Sequence, residues 1–315
     1  MKTGFAAPVS GAWATPANLV HVARLAEQLG YASLWTYQRL LGAPDRSWGE
    51  ANRAVHDPLV TLSFLAAHTT RIRLGVAVLI MPLHTPAVLA KQLATLDLLS
   101  GGRLDVGLGN GWAPEEYAAA GVTGKDLGRR ADDFVTCLKT LWTDELVRHD
   151  GPYYHVPAAR FEPKPAQSPH PPVLLGGASP AALRRAGRLC DGWVASSKAA
   201  PAAIRDAIAA VREAAEEAGR DPGALRFVCR APVRLRPSAG ADQPALTGPV
   251  DKIRDDLEVL AGTGLTEVFL DPNFDPEVGS PDAEAGRALE RVELLMGELA
   301  PPSGESASGA ATTLA

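Results

Sequence analysis

"IRLGVAVLIMPLHTPAVLAKQLATLDLLSGGRLDVGLGNGW", residues 72–112, joins an apolar run, a helical segment opened by Thr85-Pro86, and a second apolar run that ends in glycines. The first run, 72–81, is apolar without alternation, as a parallel strand covered on both faces requires. A strand, a crossover helix and a second strand form a βαβ unit. Working outward, the same unit recurs: TGFAAPV (3–9), ASLWTY (32–37), PVLLGG (172–177), GWVASS (192–197), LRFVCRAPVRL (225–235) and EVFLDP (267–272) also read as strands. A helical pattern follows each strand, making eight units in all.

Eight βα units favour an α/β fold of the closed (β/α)8 TIM-barrel type over a doubly wound sheet, which more often has five or six strands. Helix starts are marked by a capping residue followed by proline at Thr15-Pro16, Asp57-Pro58, Thr85-Pro86, Ser179-Pro180 and Ser280-Pro281. The cap accepts an orphan N–H, and the proline lacks the N–H that would go unpaired. Insertions are expected after strands 2 and 4. The second, 144–171, contains VRHDGPYYHV, a hairpin around Asp150-Gly151. Residues 1–300 read as a single barrel domain, and 301–315, PPSGESASGAATTLA, as a disordered tail.

The formal net charge of −5 offers no broad cationic field, so nucleic acid and anionic membranes are not expected as partners. Cys137, Cys190 and Cys229 lie far apart and form no CxxC pair, so neither a zinc site nor a disulfide framework is expected. No HxH, HExxH or GxxxxGK[ST] pattern occurs, which argues against metal hydrolysis and P-loop chemistry. LGVAVLIM is too short to span a bilayer, and the chain reads as soluble and cytoplasmic.

Barrel active sites sit at the carboxyl ends of the strands. The segments there are Val9 and Ser10, Tyr37 to Arg39, Ala77 to His84, Gly107 to Trp112, Gly176 to Ser179, Ser196 to Lys198, Arg230 to Arg234, and Asp271 to Asn273. GLGNGW cannot be a dinucleotide turn, because Trp112 stands where GxGxxG needs its last glycine and the strand is the fourth rather than the first. Gly107 and Gly109 either let backbone approach a flat ligand that Trp112 could cover, or serve only to close the rim. LLGGASPAALRR ends a strand in Gly176-Gly177 and begins a helix, so Gly177, Ala178 and Ser179 are candidates for phosphate; a tight turn that needs glycine is the alternative. His84 could donate a proton at the mouth or simply pack there. Lys198 lies past its strand, a poor place for Schiff-base chemistry.

Residues 26–41, 70–117, 171–194 and 250–271 together resemble the luciferase-like monooxygenase superfamily of flavin and deazaflavin barrels, and are most similar to its branch using coenzyme F420. The resemblance implies a hydride-transferring oxidoreductase acting on a small organic substrate, usually a homodimer. Its ring would lie against strand three, behind which deazaflavin members carry a bulge with a non-proline cis peptide, here matching Ala77-Val78. Its phosphate would sit on the turn after strand five. Many such enzymes have Asp-His after strand two and some have Glu after strand four; this chain has Gln38, Arg39 and Asn110 there. Arginine cannot take a proton from an alcohol, but can bind an anion or polarise a carbonyl. Arg39, Asn110 and His84 are therefore the catalytic candidates, with Trp112 beside them. An FMN-dependent monooxygenase and a non-catalytic flavin-binding barrel are the alternatives.

Overall fold

The computed structural model describes residues 1–240 and 243–302. The tail expected over 301–315 therefore lies, from residue 303 onward, outside the described residues. Eight parallel strands close a barrel in chain order: β1 (Lys2–Ala6), β2 (Ser33–Thr36), β3 (Arg73–Ile80), β4 (Leu104–Gly109), β5 (Val173–Gly176), β6 (Gly192–Ala195), β7 (Arg226–Pro232) and β8 (Glu267–Asp271). Around it run α1 (Pro16–Gln28), α2 (Pro58–Ala66), α3 (Pro86–Leu99), α4 (Pro114–Ala119), α5 (Leu127–Thr143), α6 (Pro180–Leu189), α7 (Pro201–Glu217), α8 (Val250–Ala261) and α9 (Ala285–Glu298). The expected (β/α)8 barrel is the fold.

Four of the five proline-marked helix starts begin helices. Thr15, Asp57 and Ser179 accept first-turn N–H groups, whereas the Thr85 side chain caps nothing. Ser280-Pro281 is the exception, since no helix starts there and the next one begins at Ala285. Ser280 Oγ donates to Glu50 Oε2 at 2.6 Å and accepts from Asp282 N, and the backbone closes a turn instead. The cap of α9 is Glu284, whose carboxylate takes the N–H groups of Gly286 and Arg287.

Both insertions are present. Residues 37–57 cross the rim after β2 with one 3-10 turn, Glu50–Asn52. After β4 come α4, α5 and an antiparallel hairpin of Val147–Asp150 with His155–Ala159. Asp133 on α5 holds the hairpin by accepting from Tyr153 N, Tyr154 N and His149 Nε2 at 2.8, 2.9 and 2.6 Å.

Strand alternation sorts the core into two layers. Leu34, Leu74, Val106, Leu175, Phe227 and Leu270 belong to the large cluster between barrel and helices. Ala6, Trp35, Ala77, Leu174, Val194, Val228 and Phe269 fill the barrel itself, with the Trp35 and Phe269 rings stacked at 5.1 Å. Alternation breaks once. The β3–β4 register shifts between Val76 and Leu79, so that Val78 as well as Ala77 packs on the inner cluster. The Ala77-Val78 peptide bond is cis, as the resemblance implied.

The amino-terminal end of the barrel is closed by charge. Asp105 accepts from Arg73 (Nε 2.9 Å) and Arg226 (Nη1 2.6 Å), and Arg226 reaches on to Glu267 at 3.1 Å. Glu267 also takes the Trp35 indole N–H at 2.8 Å. Conversely, the carboxyl end is left for function.

Candidate functional site

The mouth is built on the ends of β2, β3, β4 and β5. Gly107, Gly109 and Gly176 sit at inner positions there, and the room a side chain would need is already filled. A Cβ on Gly107 would meet the Val76 carbonyl oxygen at 2.2 Å, and one on Gly109 would meet Val78 Cγ2 at 2.7 Å. The first duty of these glycines is to admit the β3 bulge. The wall they leave is smooth and apolar, with Ala77 and Val78 as its bulk.

Beside this wall the chain turns from β5 into α6. Gly177 has φ +125°, a conformation side-chain-bearing residues rarely adopt. The Trp193 indole N–H donates to Gly177 O at 2.8 Å and pins the turn. Ser179 Oγ accepts from Ala182 N, while the N–H groups of Ala178 and Ser179 donate to no acceptor among the described residues. Gly177, Ala178 and Ser179 are all exposed, so free donors at a helix amino terminus face solvent next to the wall.

The three catalytic candidates converge on one side of the rim, each with a partner. Arg39 does not project freely: its side chain is almost buried, its Nη1 lies 3.4 Å from Glu116 Oε2, and its Cζ sits 4.6 Å from the centre of the Trp112 ring. Burial lowers the Arg39 pKa and Glu116 opposes that shift. Fully buried Glu116 also accepts from Leu40 N and Leu41 N at 2.7 and 3.2 Å, which fixes the loop that carries Arg39. Trp112 is 55 % exposed and meets Trp48 edge-on at 5.0 Å. Together they form an aromatic pair on the loops that follow β2 and β4.

His84 pairs with Gln38. Gln38 Oε1 accepts from Ile80 N at 2.7 Å, and His84 Nε2 lies 3.1 Å from the Gln38 amide nitrogen and 3.2 Å from its oxygen. Burial lowers the His84 pKa, against a weaker opposing pull from Asp57. The linkage sign follows: His84 adds stability above about pH 6.5, where the unfolded ring is neutral, and loses it as pH falls through the folded value. A wild-type chain should lose stability faster than H84Q on going from pH 7 to 5, by at most about 1.4 kcal/mol per pH unit. Urea midpoints at each pH measure the difference; parallel curves would show His84 to be charged or solvated.

His84 and Asn110 line one small cavity of about 130 Å3 with Met81, Thr85, Arg130 and Tyr154. The Asn110 backbone carbonyl accepts from Tyr117 OH at 2.8 Å, tying β4 to α4. Arg230 and Asp271 stand on the strand-end segments marked from the sequence, which gave them no role, whereas Glu116 and Trp48 were not marked at all. Glu116 and Trp48 carry no local signal, since one sits inside a short helix and the other in a long loop. No group of three or more His, Cys, Asp or Glu among the described residues could hold a metal ion. No helix among them is long and apolar enough to cross a membrane.

Comparison with known proteins shows the family and the barrel fold. A family model described as luciferase-like monooxygenase matches residues 2–246. The chain is similar to an F420-dependent glucose-6-phosphate dehydrogenase of Kineococcus radiotolerans, 32 % identical over 230 residues, which covers 71 % of this chain and 65 % of that one. It is also similar to an FMNH2-dependent dimethylsulfone monooxygenase of Pseudomonas putida, 32 % identical over 173 residues, 54 % of this chain and 46 % of that one. Among solved structures, monooxygenase RslO1 from Streptomyces bottropensis superposes with a TM-score of 0.78 at 24 % identity, covering 95 % of this chain and 98 % of that one.

Proposed function

We propose, from the premise that this chain belongs to the luciferase-like monooxygenase family, that it is an oxidoreductase moving hydride between coenzyme F420 and a small organic substrate at the barrel mouth. One observation carries the reading: a smooth wall of Ala77, Val78, Gly109 and Gly176 stands directly beside a helix amino terminus whose N–H groups are free. A flat ring needs the first and its phosphate the second. These residues fit a phosphorylated tricycle. The longer match to the F420-dependent dehydrogenase than to the FMNH2-dependent monooxygenase supports the deazaflavin.

Bound there, the deazaflavin supplies the hydride chemistry, and the chain's own residues do the rest. Ala77 and Val78 back the ring, and Gly177, Ala178 and Ser179 hold its phosphate. Trp112 and Trp48 exclude water from the mouth. Arg39 keeps its charge beside Glu116, steadies Trp112 and polarises an oxygen, since it cannot act as a base. His84, whose charged form burial disfavours, lies against Gln38 at the β3 end and accepts a proton when one is released. Asn110 offers both an acceptor and donors at the cavity edge.

Titrating the purified chain with oxidised F420 and with FMN, followed by absorbance and fluorescence, tests the reading. Saturable F420 binding, followed by hydride exchange with members of a broad substrate panel, is expected. Tight FMN binding without F420 affinity would move the chain to the monooxygenase branch. Ligand binding with no turnover on any substrate would make it a non-catalytic barrel.

The partner proposed is a second copy of the chain. Helix α2 is apolar on its outer face as well as its inner one: Val60 is 71 % exposed and Phe64 38 %. Val88 on α3, 61 % exposed, lies across a groove of about 530 Å3 from Val60. Two copies joined through this face would remove that apolar area from water. The double variant V60D/F64D should run at half the mass of the wild type in light scattering, with F420 affinity retained. A monomeric wild type would refute the pairing.

A further inference from the structure

The mouth has a second wall. In an eight-stranded barrel, strands four places apart face each other, so β7 stands across from β3 and β8 across from β4. Inner positions of β7 alternate as Arg226, Val228, Arg230, and those of β8 as Glu267, Phe269, Asp271. Arg230 and Asp271 therefore top the side opposite Ala77, Val78 and Gly109.

Arg230 differs from the other arginines of the barrel. Arg73 and Arg226 are matched by Asp105 and Glu267, and Arg39 forms an ion pair with Glu116, although Arg39 Nη1 and Glu116 Oε2 make no hydrogen bond. Arg230 enters no ion pair among the described residues, and its buried Nε has no hydrogen-bond partner there. Its guanidinium is held by aromatic faces, with Cζ 4.5 Å from the Phe274 ring centre and 5.5 Å from that of Tyr37. The carboxylate beside it does not cancel it. Asp271 spends Oδ1 on Asn273, accepting from its N at 3.0 Å and its Nδ2 at 2.9 Å, while Oδ2 is buried without a partner. Burial pushes the Asp271 carboxyl upward, with Arg230 pulling the other way, so its neutral form is favoured over what an exposed aspartate would show. Arg230 thus carries a positive charge that no carboxylate within ion-pair distance matches, on the strand across the barrel from Ala77 and Val78.

We propose that Arg230 binds the anionic oxygens of the substrate, so that this oxidoreductase acts on small organic oxyanions, carboxylates or enolates, held between β7 and the Ala77–Val78 wall. The inference deepens the functional reading above and rests on it for the chemistry, but not for the binding. Charge-assisted hydrogen bonds to a planar guanidinium suit a delocalised oxyanion, and the Tyr37 and Phe274 rings favour a flat one.

Benzoate and its neutral isostere benzamide are suitable probes, titrated by calorimetry into the full-length chain with and without F420. Benzoate should bind at least about tenfold more tightly than benzamide, a gap of ~1.4 kcal/mol. R230Q should erase the preference, and R230K, which keeps the charge, should retain part of it. Equal binding of the two probes by the wild type, or a preference that survives in R230Q, would overturn the proposal. The wild-type comparison needs no variant to fold. Arg230-dependent benzoate binding by a chain that ignores F420 would uphold the subsite and sink only the cofactor reading.

Discussion

Asp105→Asn should destabilise the barrel by about 3–5 kcal/mol, the cost of removing the charge of a fully buried carboxylate from between two half-buried arginines. Asp105 has no exposed surface and answers two guanidiniums at once, Arg73 and Arg226. Asparagine keeps the shape but offers one acceptor oxygen and no charge. Arg226, which lies between Asp105 and Glu267, would lose the larger part of its compensation. The pH dependence has a definite sign. Burial alone would raise the Asp105 pKa, but Arg226 and Arg73 outweigh it and hold the carboxyl below its ordinary value. Its contribution is therefore complete above about pH 4, where an unfolded aspartate is ionised, and is lost as pH falls through the folded value. Urea unfolding of wild type and D105N at neutral pH should show the full gap. The gap should shrink below about pH 4, whereas a difference under about 1 kcal/mol at pH 7 would mean that water already compensates the arginines.

Gly177→Val should weaken F420 binding by at least about tenfold, or ~1.4 kcal/mol. At φ +125° a β-branched residue is strained, and the added Cβ would lie 2.9 Å from the Ala182 Cβ. Relief requires the turn to rotate, carrying the N–H groups of Ala178 and Ser179 away from the phosphate position. The effect on the fold should be smaller, because residues 177–179 are exposed and contribute little to the core. Fluorescence titration reads the affinity and thermal unfolding the stability. Unaltered affinity with a displaced turn would place the phosphate elsewhere on the rim.

Local pattern carried the fold because each element announces itself within a few residues. Continuous apolar runs mark strands covered on both faces, and proline after a capping residue marks helix starts. The same reasoning failed at Ser280-Pro281, where Ser280 Oγ accepts from Asp282 N and donates to Glu50, about 230 positions away in the chain, while the backbone closes a turn at Ala283 and no helix starts. A partner that distant leaves no local trace. The strand-end rule also located the rim, with Arg39, His84, Asn110, the β5–α6 turn, Arg230 and Asp271 all on it. It did not say which of those groups remain available.

The sequence by itself determined the number, order and parallel sense of the strands, and with them the end of the barrel where chemistry can occur. These follow from periodicity and chain direction alone. Only the tertiary structure decided that Arg39 is paired with Glu116 while Arg230 enters no ion pair among the described residues, and that burial disfavours the charged form of His84. It also decided that Val78 joins Ala77 on the inner wall. The availability of a charge or a donor depends on neighbours that barrel closure brings from distant parts of the chain, and no spacing along the sequence encodes that.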